Sequence, residues 1–163
     1  MKINNQARES LFVEVEHLTN EELNKKPSEN EWSIKQVLEH LYLMEGAIAK
    51  TIQYQLSAGE DSVVGDKPIE LSVNRSTKVQ APDFANPSDD FATLDELKEK
   101  LSQTHEALSA IAYNTPSDIL RSKSYPHPVF GDMNLSQWIP FTAYHEMRHT
   151  EQIKEVKEKL GFN

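Results

Sequence analysis

The chain has 163 residues, 37% hydrophobic and 26% charged, enough for one domain (1–163) around one sizeable core. A net charge of −9 argues against a phosphate-tracking surface, so no nucleic-acid partner is expected. The absence of cysteine removes any disulfide framework, thiolate zinc site or protein thiol nucleophile, and with no signal-peptide core or membrane-length apolar run the chain reads as soluble and cytoplasmic, without a membrane partner.

Four segments carry helical periodicity. In the first, Ile3, Ala7, Leu11, Val15 and Leu18 recur at spacings of four and three. In the second, Val37, Leu41, Met44, Ile48 and Ile52 repeat the pattern, and SIKQ supplies a capping box from Ser33 and Gln36, with Trp32 and Val37 at staple positions. In the third, Leu94, Leu97, Leu101, Leu108 and Ile111 form the stripe, started by Thr93 and Glu96. The fourth runs from about Leu135 to Leu160, with Asn134 and Gln137 as its start signal and Met133 and Trp138 as a staple. Pro140 lacks a backbone donor, so it either kinks the first turns or moves the start to Ile139.

Residues 57–92, rich in Gly, Pro, Ser and Asp, separate the second and third segments. A connection of that length is uncommon unless it has a role. It is long enough to cross the end of a bundle and let helices two and three run parallel. A second irregular stretch, NTPSDILRSKSYPHPVFGDM, precedes the fourth helix and has room for short extended pieces. The fold class is all-α, a four-helix bundle with a long crossover between helices two and three.

AYHEMRHTEQI, residues 143–153, holds the main chemical signal. His145 and His149 are four apart, a rise of about 6 Å and about 40° past one turn, so both rings leave one helix face. Trp138, Thr142, His145, His149, Gln152, Val156 and Leu160 share that stripe, which is apolar at both ends and therefore faces inward. Such a pair is equally compatible with surface decoration or a hydrogen-bonded core. His40 sits on the inward stripe of the second helix, between Val37 and Met44. Facing helices of a bundle are where metal sites are built, and three histidines from two helices would leave coordination positions open for substrate. His105 borders the third stripe as a fourth ligand, a pocket wall or a structural histidine. His17 reads as exposed, and His127 as a turn or rim residue.

HEMRH, residues 145–149, also matches the H-E-x-x-H pattern of zinc peptidases, where the Glu is a general base. No histidine follows His149 in this sequence, and nothing reads as an edge strand for a peptide. Glu146 points about 100° away from His145, so it reads as solvated or as a partner of a ligand rather than as a base. Glu45 is a candidate helper, or simply solvated.

PSENEWSIKQVLEHLYLMEGAI and HPVFGDMNLSQWIPFTAYHEMRHTEQIKEVK resemble the second-helix and last-helix signatures of the DinB/YfiT-like superfamily. With LTNEELNKKP, these stretches cover roughly half the chain. The resemblance implies an up-down-down-up bundle, often a homodimer, with a divalent metal held by His40, His145 and His149, the histidines that the stripes select. Nickel or zinc is the expected ion, with iron or manganese as alternatives.

Three functions follow as expectations. In the first, a small-molecule substrate meets a low-molecular-weight thiol such as bacillithiol in a metal-dependent transferase, since a metal-bound thiol ionises readily. The second is a metal-dependent hydrolase that ionises water. The third is a non-enzymatic metal or small-ligand binding protein.

Overall fold

A computed structural model describes residues 1–162. Its helices are α1 (Lys2–Val15), α2 (Asn20–Asn24), α3 (Ile34–Ala58), α4 (Leu94–Asn114), α5 (Ser117–Arg121) and α6 (Leu135–Leu160). A hairpin of β1 (Ser124–His127) and β2 (Gly131–Asn134) precedes α6. Among the described residues, no helix is long and apolar enough to cross a membrane.

Capping chemistry sets the helix starts, because the first backbone N–H groups of a helix have no partner within it. Ser33 accepts the N–H of Gln36, and the Gln36 side chain accepts the N–H of Ser33. Thr93 and Glu96 do the same for α4. A third box, Thr19 with Glu22, starts α2, which is too short to show a periodic stripe. Leu18 lies outside α1 but is still buried in the core.

The start of α6 departs from expectation in two ways. Asn134 caps the N–H of Gln137, but the Gln137 side chain does not reach back. It pairs instead with the backbone N–H and carbonyl of Lys67 in the crossover, at 2.7 and 2.8 Å. Pro140 does not move the start to Ile139; it lies inside the helix. It lacks only the donor that Ser136 would have used, and the cap at Asn134 holds the first turn together. At the other end Gly161 adopts φ 72°, which lets the N–H of Phe162 close on the carbonyl of Lys157 at 2.8 Å.

Two buried clusters establish the helix directions. One gathers Leu11 and Val15 of α1, Val37 and Leu41 of α3, Leu97 and Leu101 of α4, and Ile153 and Val156 of α6. The other gathers Ile48 and Ile52, Leu108 and Ile111, and Leu135 and Ile139. Both α3 and α4 run from the first cluster to the second, so they are parallel. Helix α6 runs the opposite way, and α1 runs with it, since Met1 packs on the second cluster. The four long helices form an up-down-down-up bundle.

The crossover is fastened along its length. Arg148 of α6 donates to the carbonyls of Ser72, Asn74 and Thr77, and Arg75 makes a two-pronged pair with Glu155 at 2.8 Å each. Further on, Ser88 is held by Lys35, Gln36 and Glu39 of α3. These ties bring the segment around Ala85 against α3.

Candidate metal centre

His40 leaves α3 five residues before Glu45, and His145 and His149 leave α6 one turn apart. The helix packing brings the three rings together. Nε2 of His145 lies 3.2 Å from Nε2 of His40 and 3.1 Å from Nε2 of His149. The three ligand atoms all lie within 4.8 Å of one another. Two nitrogens about 2.1 Å from one ion, at angles between octahedral and tetrahedral, stand about 3.0–3.4 Å apart. The two shorter separations match that geometry.

The outer nitrogens decide what the inner ones can do. The Nδ1–H of His40 donates to the carbonyl of Ala85 at 2.9 Å, and the Nδ1–H of His149 donates to Oε1 of Gln152 at 2.7 Å. Each ring therefore turns a bare Nε2 lone pair inward. His145 can give a proton to only one of them, which leaves another lone pair facing nitrogen. A cation satisfies all three, so the donor set fits a divalent metal.

The electrostatics favour neutral ligands. Burial drives His149 down to about 3, and the neighbouring His40 adds to the effect. Burial likewise carries His145 well below its ordinary value, followed by the charges of His149 and His40. His40 is lowered by burial, partly opposed by its bond to Ala85. His40 and His149 are buried and His145 is half-buried. Phe141 packs on His145, Trp138 on Phe141, and Trp32 on His40, so aromatic rings surround the group.

The other histidines lie elsewhere. His17 is exposed. His127 sits in the hairpin against Trp138 and Phe141, its Nδ1 accepting the N–H groups of Val129 and Phe130. His105 is no fourth ligand. Its Nε2 meets Oδ1 of Asn5 at 2.9 Å, and its Nδ1 lies 3.4 Å from Glu45.

The reading of Glu146 and Glu45 as solvated groups is corrected: both are buried, and both bind one arginine. Arg8 of α1 meets Glu146 through Nε at 3.0 Å and through a terminal nitrogen at 2.9 Å. That same nitrogen lies 2.9 Å from Glu45, and the other one donates to the carbonyl of Leu101 at 2.6 Å. Burial outweighs Arg8 at Glu146 and pushes its carboxyl up. At Glu45 burial acts the same way, but His105, Arg8 and Thr104 together hold the carboxyl below its ordinary value. With Glu146 tied to Arg8, the peptidase reading of HEMRH has no base.

Arg8, Ala85 and the role of Gln152 are absent from the sequence reading. Arg8 had a signal: it shares spacings of four and three with Asn4, Leu11 and Val15, an arginine on a buried stripe. Ala85 had none, because a backbone carbonyl delivered by a long connection leaves no residue-type trace.

Comparisons with known proteins bear on the family and the fold. The DinB superfamily model matches residues 4–153. Uncharacterized protein YuaE of Bacillus subtilis (strain 168) is 37% identical over 161 residues, spanning 98% of each chain. TT2238, described as a four-helix bundle protein, superposes with a TM-score of 0.64 at 19% identity over 94% of both chains. YfiT of Bacillus subtilis, described as a probable metal-dependent hydrolase with an unusual four-helix bundle topology, gives a TM-score of 0.67 at 15% identity. That match covers 99% of this chain and 86% of YfiT. At these identities the two structures speak for the fold.

Proposed function

Because the chain belongs to the DinB superfamily, we propose that it is a metal-dependent enzyme in which His40, His145 and His149 hold a divalent ion, zinc or nickel. The observation that carries this reading is the convergence of three Nε2 atoms, two of them fixed as lone-pair donors by Ala85 and Gln152. A divalent ion held there would lower the pKa of a thiol or water molecule reaching it. The protein's part is to keep the imidazoles neutral and to fix the tautomers of His40 and His149.

Of the two chemistries, transfer of a low-molecular-weight thiol such as bacillithiol to an electrophile suits the site better. The thiol S–H bond breaks and its proton leaves to solvent. The sulfur forms the new bond to the electrophilic carbon as that carbon's bond to its leaving group breaks, and the leaving group departs with the electron pair. A hydrolase would draw on a group to take the proton of water. The two nearby buried carboxylates, Glu45 and Glu146, are committed to Arg8. The hydrolase reading draws support from the description of YfiT.

The test begins with untagged protein and elemental analysis, beside the His40→Ala, His145→Ala, His149→Ala triple variant. Equal metal in both would remove the site. Metal-loaded protein is then given an electrophile with and without bacillithiol. Thiol-dependent loss of the electrophile supports transfer, thiol-independent hydrolysis supports the alternative, and metal without turnover leaves a binding protein.

A further inference from the structure

Arg8, Glu45 and Glu146 form a buried ion triad in the middle of the bundle, each residue about 5% exposed. Three charges taken out of water carry a large desolvation penalty, and apolar side chains of similar volume are commonly as stable or more so. Stability is therefore a poor reason for this triad. Its placement suggests another. Glu45 belongs to the helix that carries His40, and Glu146 is the neighbour of His145. One planar guanidinium engages both carboxylates at 2.9 Å, with a second contact to Glu146 at 3.0 Å from Nε. Its remaining terminal nitrogen is anchored on the carbonyl of Leu101 in α4, and Thr104 of α4 donates to Glu45 at 2.6 Å.

A fork of this kind fixes direction as well as distance. Glu45 and Glu146 meet Arg8 of α1, with Thr104 of α4 on Glu45, while His40 of α3 meets His145 and His149 of α6. Holding the carboxylates fixes the rotation of each helix about its own axis, and that rotation aims the imidazoles. A helix turned by a few degrees would part the 3.2 Å separation of His40 and His145, which spans α3 and α6, whereas the 3.1 Å pair of His145 and His149 lies within α6 and turns with it.

We infer that Arg8 is a positioning residue for the three-histidine centre, setting the rotation of α3 against α6 through Glu45 and Glu146. This rests on the proposed metal reading and adds to it a residue that touches none of the ligands.

The test uses zinc affinity by chelator competition and the visible absorption of cobalt(II)-loaded protein, which reports coordination geometry. One variant replaces the whole triad with apolar residues, Arg8→Met, Glu45→Met and Glu146→Leu. It is expected to melt at or above the wild-type temperature, yet to bind zinc roughly tenfold more weakly, with an altered cobalt spectrum. The second variant, Arg8→Lys, keeps the charge but loses the fork. It is expected to fold and to show a smaller loss of affinity with the same spectral change. A purely structural role would leave both readouts untouched in any folded variant. Wild-type zinc affinity and spectrum in folded Arg8→Lys overturn the inference, whether or not the apolar variant folds. If wild-type protein itself binds neither zinc nor cobalt, the metal reading fails first and the inference falls with it.

Discussion

Gln152 accepts the Nδ1–H of His149 at 2.7 Å from one turn further along α6. The bond fixes both the tautomer and the ring plane of His149, so the aim of its Nε2 depends on a residue that is not itself a ligand. Partners of this kind typically change metal affinity about 10–100-fold. Gln152→Ala is expected to weaken zinc binding by about that factor while the fold survives, since Gln152 is only half-buried. Gln152→Glu supplies a stronger acceptor and is expected to bind at least as tightly as wild type. Chelator competition at constant pH measures both.

Acid should destabilise the metal-free protein early. Burial, followed by mutual repulsion, lowers the folded-state values of His145 and His149, and burial also lowers that of His40. In the unfolded chain each titrates near the ordinary value of about 6.5. Between that value and the folded one the unfolded state binds more protons, so stability rises with pH across the window. The contribution is complete above about pH 6.5 and is lost as pH falls, down to about 3 for His149. Urea midpoints of apo-protein at pH 7.5, 6 and 5 are expected to fall steadily. The triple histidine-to-alanine variant should show a flatter profile.

Much of the fold and of the three-histidine cluster was legible in the sequence because it rests on short-range signals. SIKQ and TLDE both form their capping boxes, and the fourth helix keeps its expected bounds of Leu135 and Leu160. His-x3-His on an inward stripe needs only helical geometry, the stripe of the second helix brings in His40, and the resemblance points to the same three residues. Contacts across the bundle were harder to read. Glu45 occupies the stripe of Leu41, Ile48 and Ile52, and Glu146 that of Thr142, His149 and Ile153, so spacing marked both as inward. Charge at Glu45, and the offset of about 100° between Glu146 and His145, suggested the opposite, and only the third partner, Arg8, accounts for the burial of both. Gln137 was legible as a capping residue but is diverted to Lys67, a contact that depends on where the crossover returns.

Arg148 ties the crossover down more firmly than Arg75 does. It binds three backbone carbonyls, from Ser72, Asn74 and Thr77, whereas Arg75 pairs with Glu155, a residue largely exposed to water. An exposed ion pair adds about 0–1 kcal/mol, while bonds from a charged donor to backbone groups hold the chain itself. Arg148→Ala is expected to speed protease cleavage within residues 69–79 several-fold, with the melting temperature shifted by only a few degrees, as suits a local opening. Arg75→Ala should have the smaller effect. Timed proteolysis with mass mapping of the cuts separates the two.

Trp32 provides an optical report of the centre. Its ring lies 5.1 Å from that of His40, centroid to centroid, at the point where α3 begins. Trp138 packs on Phe141, whose ring is 6.0 Å from the imidazole of His145. A paramagnetic ion bound at the three histidines should therefore quench Trp32 strongly and Trp138 less. Titration with nickel(II) or cobalt(II) is expected to reduce tryptophan emission to a plateau at one equivalent, and zinc, which is diamagnetic, should leave most of it. Trp32→Phe should remove the larger share of the nickel-dependent loss, and His40→Ala with His149→Ala should abolish the saturable step. Equal quenching in wild type and in the double histidine variant would place the ion somewhere other than this seam.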